Sequence, residues 1–495
     1  MSAETIKHST TVMKNVYETE LNEWIKQEKA AIELIGIIGN LWFEKSIELI
    51  LFHNELTDRS SSEILNLHMY AKNVVKQSIS PIDTLAVARE IQNLELSPSR
   101  IDIGKLGSEW IQERVKYSND VKKFVTDKLK GFIGKDKLVL KPKDVVLYGF
   151  GRIGRVAARE IISQAGKGEQ LRLRAIVTRT YSDADLIKRA DLLRTDSVHG
   201  PFPGTVVEDF ANKALLINGH TVKMIAANTF DEVDYTAHGI NDALLIDNTG
   251  TVRDRAGLSK HLSAKGISKV LLTAPGKGDI PNIVFGVNHD KFDMSTEKVY
   301  SAASCTTNAI IPVLKVVDEK LGIKSGHIET VHSYTNDQNL LDNYHKKSRR
   351  GRSAALNMVI TETGASSAVA KVLPGLKGKL TANSVRVPTP NASLAILHLE
   401  LGKKITKDEI NEVMRNAALY SDLVEQIQYY QSNELVSTDI VGNPCPSVFD
   451  SQATIVSEDG NRAVLYVWYD NEYGYTKQVF RLAKHLAEVI RLKYY

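Results

Sequence analysis

The sequence predicts an α/β fold of two domains that follow an all-helical N-terminal extension. Before residue 140, apolar side chains recur at three- and four-residue intervals, which is the spacing of helices. From Asp144 onwards a strand, a glycine turn, a helix and a second strand follow one another, and longer alternating strands appear after residue 305. The expected boundaries, in chain order, are 1–138 for the helical extension, 139–304 for the α/β domain completed by a C-terminal helix at 474–495, and 305–473 for the second domain.

The composition is that of an ordinary globular protein. Of 495 residues, 43% are hydrophobic and 25% are charged, which excludes wholesale disorder and the collagen-like and disulfide-scaffold classes. There are 63 basic and 59 acidic residues, and this balance argues against nucleic acid as the main partner. Because the chain has only two cysteines and no signal-peptide pattern at its start, we expect a cytoplasmic protein.

The N-terminal extension is predicted to be helical throughout. Ser80-Pro81 has the pattern of a helix start, with serine as the N-cap and proline in the first turn. Charged residues interrupt the most apolar early stretch, Ile32–Phe52, so we predict a buried helix pair there and no membrane span. Eight lysines from Lys122 to Lys143 allow two interpretations, an RNA-binding patch or, as we prefer, a solvated helix face with a linker.

The α/β region begins with a βαβ unit. The run DVVLYGFG predicts a strand that ends in glycine, IGRVAAREIISQ has helical spacing, and LRLRAIVTRT predicts the second strand. ALLIDNTG and SKVLLTAPG add further buried strands, which favours a parallel sheet. Beyond residue 305 the runs NSVRVPT, NASLAILHLEL and RAVLYVWYD predict a largely antiparallel sheet with helices beside it.

The glycine turn Gly149-Phe150-Gly151-Arg152-Ile153-Gly154 matches G-x-G-x-x-G, the fingerprint of a Rossmann-type, doubly wound dinucleotide domain. Gly149 would permit the tight turn, Gly151 would let the backbone approach a diphosphate, and Gly154 would allow helix and strand to pack closely. The N–H groups and the dipole at the helix start would then hold the diphosphate. A purely structural βα turn is the alternative interpretation.

The end of the second strand bears on the type of dinucleotide. NAD-binding units usually place a carboxylate there to accept hydrogen bonds from the ribose 2′-hydroxyl. Here the strand ends in Thr178-Arg179-Thr180, without a carboxylate. Arg179 and the flanking hydroxyls could receive a 2′-phosphate, which favours NADP or the use of both cofactors. The alternative is that Arg179 is merely an exposed side chain.

Two separate segments suggest a nucleophile and its base. Cys305 precedes the apolar run AIIPVLKVV, so it is predicted at a helix N-terminus, where the partial positive charge stabilises a thiolate. His332 closes the strand-like run IETVHSY, from which an imidazole could be aimed at a thiol. Together they could form an ion pair with thiolate as nucleophile and imidazole as acid and base. Taken singly, each is more often structural, and no metal site is predicted.

Five segments carry a resemblance to a known family. GFGRIGR, SCTTNAI, VHSYTNDQ, TGASSAVAKVLPGLKGKLTANSVRVPTPN and WYDNEYGYT resemble, in this order and spacing, the motifs of the phosphorylating glyceraldehyde-3-phosphate dehydrogenases. The resemblance covers about residues 143–495. Residues 1–138 resemble only the extension of the long bacterial forms, and we assign that extension no function.

The resemblance implies an NAD(P)-dependent homotetramer that oxidises glyceraldehyde 3-phosphate to 1,3-bisphosphoglycerate, or runs the reverse reaction, with inorganic phosphate as co-substrate. Cys305 would form the thioester and His332 would transfer the proton. The residues implied to bind the cofactor are Gly149, Gly151, Arg152, Ile153, Gly154, Thr178, Arg179, Thr180, Thr249, Gly250 and Asn471. The residues implied to bind the two phosphate groups are Ser304, Thr306, Thr335, Arg350, Thr363, Gly364 and Arg386.

Departures from the family pattern keep alternatives open. The usual Asn-Asp-Pro at the ribose position is Thr178-Arg179-Thr180 here, and the usual acidic-proline segment near the adenine is Ala227-Asn228-Thr229-Phe230. One alternative is erythrose-4-phosphate dehydrogenase, which would use the same Cys–His pair on a longer sugar. An alternative of another class is an interaction protein whose extension binds RNA or protein.

Overall fold

The computed structural model describes residues 3–495, apart from the side chains of residues 3–15 and 135. It has two compact units, one made of the residues up to Leu140 with Arg491–Tyr495, the other Lys141–Ile490. The α-helices are α1 (Ala3–Lys45), α2 (Ser61–Val75), α3 (Pro81–Asn93), α4 (Ile103–Glu113), α5 (Val121–Lys128), α6 (Arg152–Ser163), α7 (Asp183–Arg194), α8 (Arg255–Ser259), α9 (Cys305–Leu321), α10 (Ala365–Val372), α11 (Lys407–Tyr420), α12 (Ser437–Ile440) and α13 (Tyr473–Leu486).

The strands form four sheets. They are β1 (Ile47–Leu51), β2 (Asn54–Glu55), β3 (Ser99–Asp102), β4 (Lys143–Tyr148), β5 (Leu171–Thr178), β6 (Thr195–Asp196), β7 (Gly200–Pro201), β8 (Val206–Asp209), β9 (Ala214–Ile217), β10 (His220–Ala226), β11 (Ala243–Asp247), β12 (Ile267–Leu272), β13 (Val299–Ser301), β14 (Ile323–Ser333), β15 (Val359–Thr361), β16 (Leu380–Val387), β17 (Ser393–Leu401), β18 (Ile427–Tyr430), β19 (Ser447–Asp450), β20 (Ile455–Val456), β21 (Arg462–Tyr469) and β22 (Leu492–Tyr494).

The N-terminal unit is mainly helical, as expected, but it also contains a small sheet. The predicted start of α3 is confirmed, since Ser80 is the N-cap, Pro81 occupies the first turn and the Ser80 side chain accepts a hydrogen bond from the Asp83 amide. The predicted helix pair over Ile32–Phe52 is corrected. Helix α1 ends at Lys45, and five buried residues, four of them apolar with Glu48 between them, form β1 in a sheet of order β2-β1-β3-β22. A short, mostly apolar run does not distinguish a buried strand from a buried helix.

The Lys141–Ile490 unit begins with a doubly wound sheet. Its strand order is β13-β12-β11-β4-β5-β10-β9-β8, and the strands from β13 to β10 are parallel. From β4, the strands β5 and β10 extend the sheet in one direction and β11, β12 and β13 extend it in the other. Buried apolar clusters cover both faces of the sheet. The predicted α/β class with a Rossmann-type domain is therefore confirmed. The carboxyl ends of these strands form the edge at which such sheets bind dinucleotides.

A second sheet in this unit has the order β15-β16-β14-β17-β21-β19-β18, with β20 beside β21. Most neighbours are antiparallel, as the alternating runs predict, but β14 runs parallel to β16, and β18 parallel to β19. The β14–β16 register places His332 directly opposite Arg386. The sheet therefore brings an imidazole and a guanidinium together across more than fifty residues of sequence.

The predicted C-terminal helix at 474–495 is shorter in the structure. Helix α13 ends at Leu486, where the Glu488 amide donates to the His485 carbonyl and the Val489 amide to the Lys484 carbonyl. This pair of bonds is a Schellman motif, which usually places glycine in its left-handed position. Here Glu488 occupies that position with φ 58°, so the sequence carries no glycine to signal the stop. None of the helices in the described part of the chain is both long and apolar enough to cross a membrane.

Candidate active site

The glycine turn leaves room for a ligand at the start of α6. A Cβ atom on Gly149, whose φ is +92°, would lie 2.8 Å from the Thr249 side chain, and one on Gly154 would overlap the Gly149 carbonyl oxygen. A Cβ on Gly151 would meet no atom within 4 Å. Two of the glycines are thus required by packing, while the third borders open space beside the α6 N-terminus. This cradle fits the diphosphate of a dinucleotide.

The side chain of Arg152 is occupied by protein contacts. Its guanidinium donates to both carboxylate oxygens of Glu472 at 2.5 Å and to Asp196 at 3.2 Å, and His199 also contacts Glu472 at 2.9 Å. Arg152 can therefore serve a diphosphate through its backbone N–H, as can Ile153. Next to Glu472, the carbonyl oxygen of the Asn471 side chain accepts a hydrogen bond from Ser393 at 2.9 Å.

The ribose end of the cradle is formed by the ends of β5 and β11. The Thr178 hydroxyl donates to the Thr180 carbonyl at 2.7 Å, and the Arg179 side chain is exposed. Just after β11, which is separated from β5 by β4, the backbone N–H and hydroxyl of Thr249 both donate to Asp247 at 2.7 Å and fix the turn through Gly250. An exposed guanidinium beside the cradle can receive a phosphate without loss of a buried ion pair.

Cys305 is the first residue of α9, as the sequence predicts. Ser304 is the N-cap, and its hydroxyl accepts a hydrogen bond from the Thr307 amide at 3.0 Å. Ala303 has a left-handed φ of 56°, which is uncommon for a residue other than glycine and costs about 1 kcal/mol. Its amide donates to the Ser301 hydroxyl at 3.0 Å, and its carbonyl accepts from Tyr475 at 3.0 Å. These bonds hold the turn that presents the thiol.

The thiol and the imidazole face each other. The Sγ atom of Cys305 lies 3.5 Å from Nε2 of His332, and Nδ1 of the same ring lies 2.7 Å from the Ser333 carbonyl oxygen. In the tautomer whose Nδ1–H donates to that carbonyl, Nε2 presents its lone pair to the thiol and can take its proton. Burial and the charge of Arg386 lower the pKa of His332 to about 3, while burial raises the pKa of Cys305.

Burial penalises either charge alone, but proton transfer from Sγ to Nε2 creates both charges together. Their attraction over 3.5 Å is roughly 5 kcal/mol at an effective dielectric constant of about 20. The α9 N-terminus further stabilises the thiolate. The hydrogen bond to the Ser333 carbonyl stabilises the imidazolium, because it raises the pKa of His332 and so opposes part of the effect of burial. This arrangement can therefore support a thiolate–imidazolium pair, a nucleophile with its acid and base side by side.

A pocket of about 390 Å³ surrounds the pair. It lies where the N-termini of α9 and α10 meet, so two helix dipoles favour an anion. Burial lowers the pKa of Arg386, whose Nε atom has no hydrogen-bond partner among the described residues and is free to donate to an anion. The predicted phosphate-binding residues that line the pocket are Ser304, Thr306, Thr363, Gly364 and Arg386.

Two predicted phosphate-binding residues do not line this pocket. Arg350 donates to the Thr361 hydroxyl at 3.0 and 2.7 Å and also pairs with Asp337. Its charge still acts on the site, because it is among the causes that lower the pKa of His332. Thr335 contributes its backbone carbonyl to the turn that follows β14, where it accepts from the Gln338 amide at 3.0 Å.

Several residues in or beside the pocket carry no signal in the sequence that points to this site. The hydroxyl of Tyr469 contacts the Thr306 hydroxyl at 2.9 Å, and its ring lies 6.0 Å from the His332 ring. Three further cations and an exposed carboxylate line the pocket, namely Arg253, Lys277, Lys371 and Glu362. Tyr469 belongs to the quoted WYDNEYGYT segment, but its distance from Cys305 in sequence gives no signal that the two are neighbours.

Among the described side chains, four of the eight lysines from Lys122 to Lys143 pair with carboxylates. Lys128 contacts Glu113 at 2.6 Å and Glu109 at 3.1 Å. Lys123, Lys130 and Lys143 are also paired with carboxylates. Such pairing is typical of a solvated helix face and leaves fewer free charges for a nucleic-acid backbone.

Two family models match the chain. The model for the NAD binding domain of glyceraldehyde 3-phosphate dehydrogenase matches residues 143–255, and the model for the C-terminal domain matches residues 304–471. With the glycine cradle, the doubly wound sheet and the thiol–imidazole pocket, these matches define an oxidoreductase that binds a nicotinamide dinucleotide.

Relatives agree on a narrower family. A glyceraldehyde-3-phosphate dehydrogenase-like protein of Pseudomonas aeruginosa is 49% identical over 92% of this chain and 98% of its own length. Glyceraldehyde-3-phosphate dehydrogenase of Priestia megaterium is 43% identical over 68% of this chain and 96% of its own length, and the chloroplastic A form of Zea mays is 42% identical over 68% and 81%. The chain belongs to the glyceraldehyde-3-phosphate dehydrogenase family.

Proposed function

We propose that the protein oxidises glyceraldehyde 3-phosphate to 1,3-bisphosphoglycerate, or runs the reverse reaction, through a thioester on Cys305. The observation that carries this proposal is the 3.5 Å approach of Sγ to Nε2 of His332 inside an anion-favouring pocket. A thiolate is the nucleophile that an aldehyde carbon requires, and the pocket cations suit a phosphorylated substrate. We also propose the division into 1–138 as helical extension, 139–304 with the C-terminal segment 474–495 as dinucleotide domain, and 305–473 as catalytic domain.

In this mechanism the Cys305 thiolate attacks the aldehyde carbon and forms a thiohemiacetal. The backbone N–H of Cys305, at the start of α9, stabilises the oxyanion, which takes the proton of the His332 imidazolium and becomes the hydroxyl. His332 takes the hydroxyl proton of the thiohemiacetal as the carbonyl of the thioester forms. The bound dinucleotide supplies the hydride acceptor. An oxygen of inorganic phosphate then attacks the thioester carbon, the carbon–sulfur bond breaks, and the thiolate returns as the acyl phosphate leaves.

The direct test is reduction of NAD and of NADP in parallel, with glyceraldehyde 3-phosphate, in the presence and absence of inorganic phosphate. Phosphate-dependent turnover is expected, since the thioester needs an acceptor. A rate that does not depend on phosphate contradicts the acyl-phosphate product. Erythrose 4-phosphate is the matched alternative substrate, and a higher kcat/KM for it would replace the proposed substrate while retaining the Cys305 chemistry.

We expect NADP to be used at least as well as NAD, because Arg179 is exposed at the end of β5 where a carboxylate would repel a 2′-phosphate. Replacing Arg179 with aspartate should shift the ratio of kcat/KM values for NADP and NAD at least about tenfold toward NAD, which corresponds to about 1.4 kcal/mol. Steady-state kinetics with both cofactors measure the ratio. Lys291→Asp, the same charge change on an exposed lysine, is the control, and equal ratios in the two variants would exclude Arg179 as the discriminator.

Glu362 should weaken the binding of inorganic phosphate, because its exposed carboxylate lines the pocket beside Thr363 and Gly364. Replacing it with glutamine keeps the shape and removes the repulsion, so KM for phosphate should fall about three- to tenfold, or roughly 1 kcal/mol. Initial rates at varied phosphate measure this change. Glu319→Gln, on the exposed side of α9, is the control, and an unchanged or higher KM in Glu362→Gln would contradict a role in phosphate affinity.

We further propose a homotetramer in the cytoplasm. The loop after β14 exposes Leu340 and Leu341 at 73% and 72% and Tyr344 at 90%, an apolar surface suited to a second copy of the chain. Both cysteines are free thiols, which suits a reducing compartment. Sedimentation or light scattering at several concentrations tests the assembly, and a monomer at micromolar concentration would contradict it.

A further inference from the structure

A second hollow in the Lys141–Ile490 unit lies at the edge of the first sheet where β5 and β10 begin. It has a volume of about 400 Å³. Six basic side chains line it, and no carboxylate does among the described residues: Lys167, Arg172, Arg174, His220, Lys223 and His238. We call this site the basic hollow.

The charges of the basic hollow are only partly balanced by neighbouring acids. Arg174 donates to Asp144 at 2.9 Å, and Lys167 lies 3.4 Å from Glu169. By contrast, Arg172 donates through Nε to the Gly168 carbonyl at 2.6 Å, and Lys223 donates to the Asn212 carbonyl at 3.1 Å. Those two cations thus donate to neutral oxygens. The Asp209 carboxylate is an acid near Lys223, since hydrogen bonds from Asn212 and the charge of Lys223 lower its pKa. Like charges gathered in a concavity attract a multivalent anion.

The basic hollow is separate from the cofactor cradle. Arg172 lies at the start of β5, whereas Thr178 and Arg179 lie at its other end. At about 3.3 Å per residue, these positions are roughly 20 Å apart. The hollow therefore opens at the edge of the sheet opposite to the one that carries the glycine turn and Cys305.

We propose that the basic hollow binds a small ligand with two adjacent phosphoryl groups, a diphosphate or a compound that carries one. The terminal nitrogens of the Arg172 guanidinium form a fork that matches the oxygens of one phosphoryl group, and the Lys223 ammonium supplies a point charge for the next. The volume leaves space for an organic group on the diphosphate. Burial and the charge of Arg172 lower the pKa of His220, and a bound anion would relieve the second of these causes.

Calorimetric titration of the full-length protein with inorganic pyrophosphate tests this proposal. The variant Arg172→Gln/Lys223→Gln removes the two cations whose hydrogen bonds go to backbone carbonyls and replaces them with neutral side chains that remain hydrogen-bond donors. The control Lys188→Gln/Lys291→Gln removes two exposed lysines elsewhere in the same unit and so makes the same change in net charge. Any binding to the cradle or the catalytic pocket is common to all three proteins.

We expect a pyrophosphate-binding event in the wild type and the control that is weakened at least tenfold in Arg172→Gln/Lys223→Gln. Dehydrogenase kcat and cofactor KM should be unchanged in both variants, which also verifies folding. Equal affinity in the two variants, or no binding to the wild type at about 0.1 M salt, overturns the proposal. Because the readout is calorimetric, this result is independent of the outcome of the dehydrogenase assay.

Discussion

Replacing Cys305 with serine is expected to reduce dehydrogenase turnover by at least about 10³-fold while the fold survives. A serine hydroxyl in the same place is not ionised near neutral pH, so it cannot act as the nucleophile that the aldehyde carbon requires. It also cannot form a thioester, from which inorganic phosphate must displace the thiolate. Turnover with glyceraldehyde 3-phosphate and saturating cofactor measures the loss, and cofactor binding to the inactive variant verifies that the dinucleotide domain is intact.

Cys445→Ser is the matched control, since it changes the other cysteine of the chain in the same way. Cys445 is buried and lies outside the residues that line the catalytic pocket. Its replacement should leave kcat within about twofold, because a surface or packing change away from the pocket affects stability before chemistry. If Cys305→Ser retained more than about one tenth of the turnover, the thioester mechanism would have to be abandoned.

Much of the candidate site could be predicted because its signals are local in sequence. Three glycines before a helix and a cysteine before an apolar run each describe one turn of backbone, and the structure places Gly151 and Cys305 at helix starts as expected. The contacts that complete the site are not local. Arg386 meets His332 through the parallel pairing of β14 with β16, and Tyr475 holds the Ala303 turn from a helix far along the chain.

The two errors in the predicted fold, at β1 and at the end of α13, also have physical causes. The strand β1 consists of apolar and β-branched residues with only one charge, so its periodicity does not separate strand from helix. Its parallel partner β3 lies about fifty residues away, and β22, which pairs with β3, lies several hundred residues further on, so this pairing leaves no local pattern. The early end of α13 depends on Glu488 in a left-handed conformation that favours glycine.

The anion-binding character of the pocket results from a combination that no single segment of sequence contains. Helices α9 and α10 belong to separate parts of the catalytic region, and Arg386 comes from a strand. Each helix N-terminus contributes a partial positive charge, and the half-buried Arg386 contributes a full one. An anion that sits among them is therefore stabilised more than at either helix alone, next to the thiol on which the acyl group would form.

Replacing His332 with asparagine is expected to lower kcat by about 10²- to 10⁴-fold and to shift the reactivity of Cys305 to higher pH. In the wild type the imidazolium stabilises the thiolate, so alkylation by iodoacetamide should already be fast below the ordinary cysteine pKa of about 8.5. Without His332 the thiol keeps its burial, which raises the pKa of Cys305, and loses the neighbouring cation. Alkylation of the variant should therefore accelerate only above about pH 8.5.

His327→Asn, on the same strand β14, is the control for this experiment. His327 contacts the Thr381 hydroxyl at 2.7 Å on an exposed part of the sheet, so its replacement should change neither kcat nor the alkylation profile. The decisive quantity is the pH at which the alkylation rate reaches half of its maximum. If that pH is the same in His332→Asn and in the wild type, the imidazole does not activate the thiol, and the 3.5 Å contact between Sγ and Nε2 positions the ring for proton transfer alone.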